Sequence, residues 1–199
     1  MPTDSNEDTL YYDQRSVALR TTQSIYFVQE HDKMAMLDLL LEEHKKKQIV
    51  IVTKSKKKAD NLSELLNQKG LKTKAVHGNH RESQQQESAK DFNLKNITIL
   101  ITTDKILQTL VLENIALILS HDLPEMAQDY YNRLALMKEL GLGIALVSLQ
   151  DEPLLLDIEY NMKAEIEEKT LESFVETAMP TAKNKKDRSR KPRHRKNKS

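Results

Sequence analysis

The chain has 199 residues, 38% hydrophobic and 31% charged, with a formal net charge of +1, and this composition suits one domain plus appendages. The absence of cysteine excludes disulfides, thiolate metal sites and a cysteine nucleophile, and it is compatible with a reducing compartment. The polar N-terminus lacks an apolar core of signal-peptide length, and no apolar run approaches the ~18 residues of a spanning helix, so we expect a cytoplasmic protein with no membrane partner.

Short apolar runs rich in β-branched residues alternate with helical patterns along the chain. The runs are continuous, which is typical of parallel strands covered by helices on both faces. The sequence therefore predicts a three-layer α/β domain with a mostly parallel sheet. The predicted strands lie at 25–28, 49–53, 73–76, 98–102, 116–120 and 144–148. The predicted helices lie at 31–45, 57–68, 81–92, 125–140 and 151–168.

The helix at 57–68 has a clear start and stop. Ala59, Leu62, Leu65 and Leu66 fall on one stripe of the helix, with Lys and Glu on the opposite side. Ser55 precedes the helix as a plausible N-cap, and Gly70 follows where a helix should end.

The charge is divided between an acidic body and a basic tail. Residues 183–199 hold ten Lys or Arg and one Asp, so residues 1–182 carry a net charge of −8. Such a tail has no apolar side chain to bury, and we expect it to be disordered and to seek RNA phosphate, although it could be only solubilising or non-specific. The tail residues predicted to bind RNA are Lys183, Lys185, Lys186, Arg188, Arg190, Lys191, Arg193, Arg195 and Lys196.

These patterns divide the chain into four predicted parts. A flexible N-terminal segment spans 1–21, the α/β domain spans 22–168, an extension spans 169–182, and the basic tail spans 183–199.

Several motifs occur in a diagnostic order within the α/β part. The segment 49–80 ends in His-Gly, and it is followed by ILITTD at 99–104, ILSHDLP at 118–124 and DYYNRL at 129–134. In order and spacing this series resembles the second RecA-like domain of DEAD-box RNA helicases. The resemblance covers about 20–175, and it implies a RecA-like fold of the P-loop NTPase type.

The resemblance also implies an RNA-facing edge. Ser55 takes the place of a hydroxyl residue that contacts RNA phosphate. Gly78 stands where the protein backbone approaches the RNA strand, and Thr103 begins a Thr-Asp pair. Lys54 and Lys56 lie beside Ser55, and hydroxyls, glycine amides and ammonium groups are suitable phosphate ligands. The alternative is that Ser55 only caps its helix, Gly78 only turns the chain and the lysines form a solvated face.

The nucleotide-facing motifs depart from the family pattern. Asp104 and Arg133 are the residues expected to remain from that surface. Val111 replaces an aspartate that would bind the ribose, and Leu136 replaces an arginine that would stabilise charge on the γ-phosphate.

No GxxxxGK[ST] phosphate loop and no DEAD-like motif occurs in the sequence, because these motifs belong to the family's first domain. We therefore expect no catalytic residue and no ATP hydrolysis by the chain alone. ATP and Mg²⁺ would bind only if a separate first RecA-like domain completed the site.

The histidines suggest no metal centre. His77 and His80 form an H-x-x-H pair, but the pair straddles a predicted strand end and a glycine, so we expect no metal there. The absence of Trp favours contact with the RNA backbone over stacking on bases.

The sequence thus favours a diverged helicase C-terminal domain that binds RNA and is without ATPase activity on its own. One alternative is half of a split helicase that completes an ATPase in trans. Another is a protein-interaction module in which the altered helix at 125–140 docks a partner.

Overall fold

Seven parallel strands form one sheet in the order β3-β4-β2-β5-β6-β1-β7 in the computed structural model, which describes residues 21–137 and 141–177. The strands are β1 (Thr22–Phe27), β2 (Ile49–Val52), β3 (Thr73–Val76), β4 (Ile99–Thr102), β5 (Leu117–Ser120), β6 (Leu142–Val147) and β7 (Glu167–Glu168).

The helices pack on both faces of the sheet. They are α1 (Lys33–Glu43), α2 (Lys56–Gln68), α3 (Glu82–Asn93), α4 (Asp104–Leu107), α5 (Ala127–Ala135) and α6 (Glu152–Met162). Short 3-10 turns at Glu30–Asp32 and Leu149–Asp151 lead into α1 and α6. The predicted three-layer α/β fold is confirmed, and the sheet is parallel at every pairing in the described residues.

The sheet divides the hydrophobic core into two halves. Successive residues of β2 alternate between them, because side chains along a strand point to opposite faces. Val50 and Val52 pack with α3, α5 and α6, whereas Ile49 and Ile51 pack with α1 and α2. Every residue of β2, β4 and β5 is buried, which explains why these strands read as unbroken apolar runs.

Three elements differ from the sequence prediction. The helix predicted at 125–140 is shorter, because α5 begins at Ala127 and ends at Ala135. The helix predicted at 151–168 ends at Met162, where Lys163 adopts a left-handed conformation with φ of 54°. The Glu159 carboxylate accepts a hydrogen bond from the Ile166 N–H at 2.8 Å, and β7 then pairs with β1. The short helix α4 was not predicted, since four residues carry no readable periodicity.

Parts of the predicted organisation fall outside the described residues. These parts are residues 1–20, residues 138–140 of the predicted helix at 125–140, and residues 178–199, which include every RNA-binding residue predicted in the basic tail. The four-part division of the chain stays a prediction. Across 21–137 and 141–177, no helix is both long enough and apolar enough to cross a membrane.

Candidate functional site

A cleft of about 760 Å³, here called the polar cleft, opens at the carboxyl ends of β2, β3 and β4. Parallel strands present all their carboxyl ends at one edge of a sheet, so the residues that follow them meet there. The structure brings all five body residues predicted to bind RNA to the lining of this cleft: Lys54, Ser55, Lys56, Gly78 and Thr103.

Ser55 caps α2 and lines the cleft at the same time. Its hydroxyl oxygen accepts a hydrogen bond from the Lys58 backbone N–H at 3.2 Å. That bond uses an acceptor position of the hydroxyl and leaves its proton available to donate. The capping role that the sequence offered as an alternative is therefore present, and it does not occupy the donor that a phosphate oxygen needs.

Thr103 and Gly78 leave polar backbone and hydroxyl groups open to the cleft. Thr103 is the N-cap of α4, yet its side chain makes no capping hydrogen bond. A Cβ placed on Gly78 would lie 3.6 Å from Cε and Nζ of Lys56 and 3.8 Å from Cδ1 of Ile106. The bare glycine thus leaves a space between these two side chains that any larger residue would fill.

The charge of the cleft opposes that of the acidic body. Lys54, Lys56, Lys57 and Lys105 line it. The ammonium of Lys56 donates to Oδ1 of Asn79 at 2.7 Å. Lys57 and Lys105 have no ion-pair partner in the described part of the chain. The cleft therefore carries unneutralised positive charge, which attracts polyanions.

Arg133, expected to face a nucleotide, lies in the protein interior. Its guanidinium forms a two-bond contact with the Asp104 carboxylate, from Nε at 2.6 Å and from Nη2 at 2.7 Å. Nη1 donates to the Ser120 hydroxyl at 2.8 Å and to the Asp122 carbonyl at 2.9 Å. Only 1% of Arg133 is exposed, so four of its five N–H donors hold the fold together.

Beside the polar cleft lies a partly buried charge cluster that the sequence did not predict, in which Lys33, Asp122 and Asp151 are buried. The Lys33 ammonium donates to the Asp151 carboxylate at 3.0 Å and lies 2.9 Å from Glu30. The Lys58 ammonium bridges Glu30 at 3.0 Å and Asp122 at 2.7 Å. This cluster joins α1 and α2 to the residues that follow β5 and β6. Two features of the sequence could have indicated it: a lysine that begins an apolar helix, and aspartates within four residues of the ends of apolar strands.

The Asp122 carboxyl is held ionised in this cluster. Burial alone would raise its pKa. The neighbouring His121, the Lys58 ammonium and the Lys54 backbone N–H together outweigh burial and keep the pKa far below its ordinary value. The carboxylate can therefore remain charged while only 2% of the residue is exposed.

Asp60, His77 and His80 form the one group with potential metal-ligand atoms among the described residues. Nδ1 of His77 faces the Asn79 N–H at 3.4 Å, and Nδ1 of His80 accepts from the His77 N–H at 3.2 Å. A neutral imidazole that accepts at Nδ1 carries its proton on Nε2. His77 Nε2 then donates to Asp60 at 2.8 Å. Hydrogen bonds among these residues therefore account for their close approach.

Gln85, Leu136 and Val111 lie in three different environments. The Gln85 amide donates to the His80 carbonyl at 2.8 Å and holds the loop after β3. Leu136 packs against the core, and Val111 is exposed.

Comparison with known proteins places this fold and its motifs. Residues 32–135, about half of the chain, match the family described as the helicase conserved C-terminal domain. The chain belongs to this family. The DEAD-box ATP-dependent RNA helicase RhpA of Helicobacter pylori is 26% identical over 149 residues, which are 73% of this chain and 30% of RhpA. ATP-dependent RNA helicase vasa of Drosophila melanogaster is 30% identical over 119 residues, 60% of this chain and 18% of vasa.

Solved structures share the fold of this helicase C-terminal domain. A DEAD box protein from Methanococcus jannaschii superposes with a TM-score of 0.73 at 25% identity, over 77% of this chain and 43% of that one. E. coli SrmB, bound to regulator of ribonuclease activity A, gives 0.72 at 17% identity, over 79% and 98%. S. cerevisiae Dbp5 bound to RNA and ADP BeF3 gives 0.67 at 20% identity, over 75% and 41%.

These matches confirm the predicted relation to the C-terminal domain of DEAD-box RNA helicases. The chain spans less than a third of the length of the curated relatives RhpA and vasa.

Proposed function

We propose that this helicase C-terminal domain binds the phosphate backbone of RNA through the polar cleft, and that the basic residues of 183–199 add electrostatic attraction. The observation that carries the proposal is the convergence of Ser55, Gly78 and Thr103 on one cleft edged by lysines. S. cerevisiae Dbp5, which shares the fold, has been solved bound to RNA.

The chemistry of the cleft favours phosphate over bases. Hydroxyl donors, backbone N–H groups at the start of α2 and lysine ammonium groups are phosphate ligands. None of the described residues that line the cleft is aromatic, so the cleft offers no surface on which bases could stack. Binding should therefore depend strongly on salt and weakly on sequence.

ATP hydrolysis by the chain alone is not part of the proposed function. The residues present do not fit a triphosphate, because Arg133 is committed to Asp104 and to the backbone, and Leu136 and Val111 carry no polar side-chain atom. A separate N-terminal helicase domain would have to supply the ATP and Mg²⁺ site.

RNA affinity of cleft variants tests the proposal. The double variant Lys57→Ala/Lys105→Ala removes two unpaired cleft cations. The matched control Lys46→Ala/Lys72→Ala removes two exposed lysines that precede β2 and β3, at the opposite edge of the sheet. We expect the cleft variant to bind more weakly and to reduce the slope of log affinity against log salt by about 1.4, since each lost single-strand phosphate contact contributes about 0.7. Equal losses in the two variants would reject the cleft.

A protein partner is the second candidate. Val111 and Met126 are 68% and 63% exposed, which is unusual for apolar side chains of this size. The E. coli SrmB chain, 98% of which superposes on this fold, was solved bound to a protein. Sedimentation of the chain mixed with a first RecA-like domain, followed by an ATPase assay, would identify a split helicase. In that case hydrolysis would appear only in the mixture.

A further inference from the structure

An apolar groove with an acidic rim lies at the edge of the sheet opposite β3, between α6 and the strands β1 and β7. We call it the acidic groove, and its volume is about 620 Å³. Its apolar surface includes Phe27 and Leu156, which are 37% and 65% exposed. A second depression continues past Leu156 to Tyr160, which is 82% exposed. The groove therefore offers an extended apolar track.

The rim of the acidic groove is unusually negative. Five glutamates line it: Glu152, Glu159, Glu165, Glu167 and Glu168. Lys169 lies 3.2 Å from Glu167, and Glu159 accepts the Ile166 N–H. Glu152, Glu165 and Glu168 have no ion-pair partner in the ranges that the structure describes. The carboxylates repel one another, and a cation placed between them would relieve that repulsion.

We propose that the acidic groove binds the basic segment 183–199 of the same chain. The segment carries a net charge of +9, from ten Lys or Arg and one Asp, so its charge complements the rim. It has no large apolar side chain, but Lys and Arg cover apolar surface with their aliphatic stems while their charged ends reach outward. Arginine also stacks on tyrosine and binds carboxylates with two parallel hydrogen bonds, which suits Tyr160 and the glutamates.

The described chain ends at Thr177, which a short series of contacts links to the rim of this groove. The Thr177 N–H and hydroxyl donate to the Asp32 carboxylate at 2.9 and 2.5 Å. Asp32 precedes Lys33, whose ammonium contacts Asp151, and Asp151 is adjacent to Glu152 on the rim. Residues 178–182 can span up to about 17 Å between Thr177 and the basic segment, so the segment stays tethered to the part of the domain that carries the rim.

The polar cleft is an unfavourable site for the same segment. Its lining carries Lys54, Lys56, Lys57 and Lys105, which repel a basic peptide. Charge thus directs the segment to the acidic groove and leaves the cleft open. If the cleft binds RNA as proposed above, RNA phosphate and the groove compete for the segment. The docking itself does not depend on RNA binding.

Paramagnetic labelling of the full chain tests the docking. Because the sequence has no cysteine, Ser189→Cys provides a unique thiol for a nitroxide inside the basic segment. We expect the label to broaden the NMR signals of Leu156 and Ile166 at about 50 mM salt and to release them at about 500 mM, where charges are screened within about 4 Å. Broadening spread evenly over the acidic surface would overturn the proposal.

Charge-matched variants separate the groove from general attraction. Glu152→Gln/Glu165→Gln/Glu168→Gln should abolish the broadening. Glu64→Gln/Glu87→Gln/Glu113→Gln, which changes the charge equally at exposed positions outside the groove, should retain it. Loss in both variants would overturn the proposal. The proposal would also be overturned if the groove signals broadened in a chain without the nitroxide when it was mixed with the nitroxide-labelled chain. Docking would then occur between molecules.

RNA affinity distinguishes failure of this inference from failure of the proposed function. Release of the segment from the groove should let the triple groove variant bind RNA several-fold more tightly than the control variant. If the NMR signals of the groove residues broaden but the chain does not bind RNA, only the proposed function is wrong. If the chain binds RNA but the NMR signals of the groove residues do not broaden, only the docking of the basic segment is wrong.

Discussion

At the scale of single residues, Arg133 is a motif side chain whose guanidinium is committed to groups of the protein interior. An arginine that faces a phosphate must leave donors free, but this guanidinium is taken up by Asp104, Ser120 and the Asp122 carbonyl. A buried ion pair of this kind adds little net stability relative to apolar residues, yet its disruption leaves a costly unpaired group. Arg133 therefore has a structural role, because it links α5 to the residues at the strand ends.

Arg133→Met tests this structural role. We expect a loss of about 3 kcal/mol in the free energy of unfolding, because Asp104 and the Ser120 hydroxyl lose their donors. Urea denaturation at an unchanged m-value measures it. Asp104→Asn, whose carboxylate side chain is 24% exposed, should cost less because water replaces part of the contact. A decrease in the free energy of unfolding of less than about 1 kcal/mol for Arg133→Met would contradict this structural role.

The Asp122 carboxylate makes the free energy of unfolding depend on pH. Burial is outweighed by His121, Lys58 and the Lys54 N–H, so its pKa in the folded protein lies well below the unfolded value. The stabilisation is complete above pH ~4 and is lost as pH falls from there towards the folded pKa. The difference in unfolding free energy between the native chain and Asp122→Asn should shrink below pH ~4, by up to about 1.4 kcal/mol per pH unit. The exposed Asp157→Asn provides the control, and a pH-independent difference for Asp122→Asn would refute the prediction.

At the scale of elements, glycine sets the distance between α5 and β6. A Cβ on Gly143 would lie 2.8 Å from Cδ2 of Leu134, a buried residue of α5. The close approach lets α5 pack on the sheet and so brings Arg133 to the strand ends.

Gly143→Ala should destabilise the fold by about 1 to 3 kcal/mol, because the added methyl overpacks a filled interior. The variant Leu134→Ala removes the opposing group, so adding Gly143→Ala to it should cost almost nothing. A double-mutant cycle by chemical denaturation measures this coupling. Additive costs would show that Leu134 is not the obstacle.

The sequence predicts elements well where local pattern and tertiary environment agree. The buried parallel strands read as apolar runs, and the residues after them converge as expected of strand ends, which explains why Ser55, Gly78 and Thr103 line one cleft. β7 escaped prediction because Glu167 and Glu168 join the sheet only through backbone pairing with β1. The burial of Arg133 also escaped, since the sequence does not reveal which acceptors surround a side chain.

At the scale of the whole molecule, opposite charges occupy different halves of the sheet. The positive polar cleft lies at the carboxyl ends of β2, β3 and β4, whereas the acidic groove lies beside β1 and β7 in the other half. A net charge of −8 over residues 1–182 would repel RNA if it were spread evenly. The cleft is instead lined by four lysines and the groove by five glutamates, so the two surfaces attract different partners.

The contributions of the cleft and the basic segment should separate in salt titrations of RNA affinity. Residues 1–182 should still bind, with a shallower slope of log affinity against log salt than 1–199, because fewer phosphates are neutralised. Thr103→Ala should weaken both forms by the same factor, since it removes a hydroxyl of the cleft. Fluorescence anisotropy measures each affinity. Complete loss of binding in 1–182 would show that the segment alone binds RNA.

The position of β1 in the sheet constrains the order of folding. β1 lies between β6 and β7, so Thr22 must pair with Leu142 across most of the domain. Closing a loop of this length costs about 4 kcal/mol in chain entropy beyond a constant term. β2, β4 and β5 pair over shorter separations and can assemble earlier. The edge of β6 must therefore remain open until β1 closes it, and this is the interval in which a strand from another molecule could take its place.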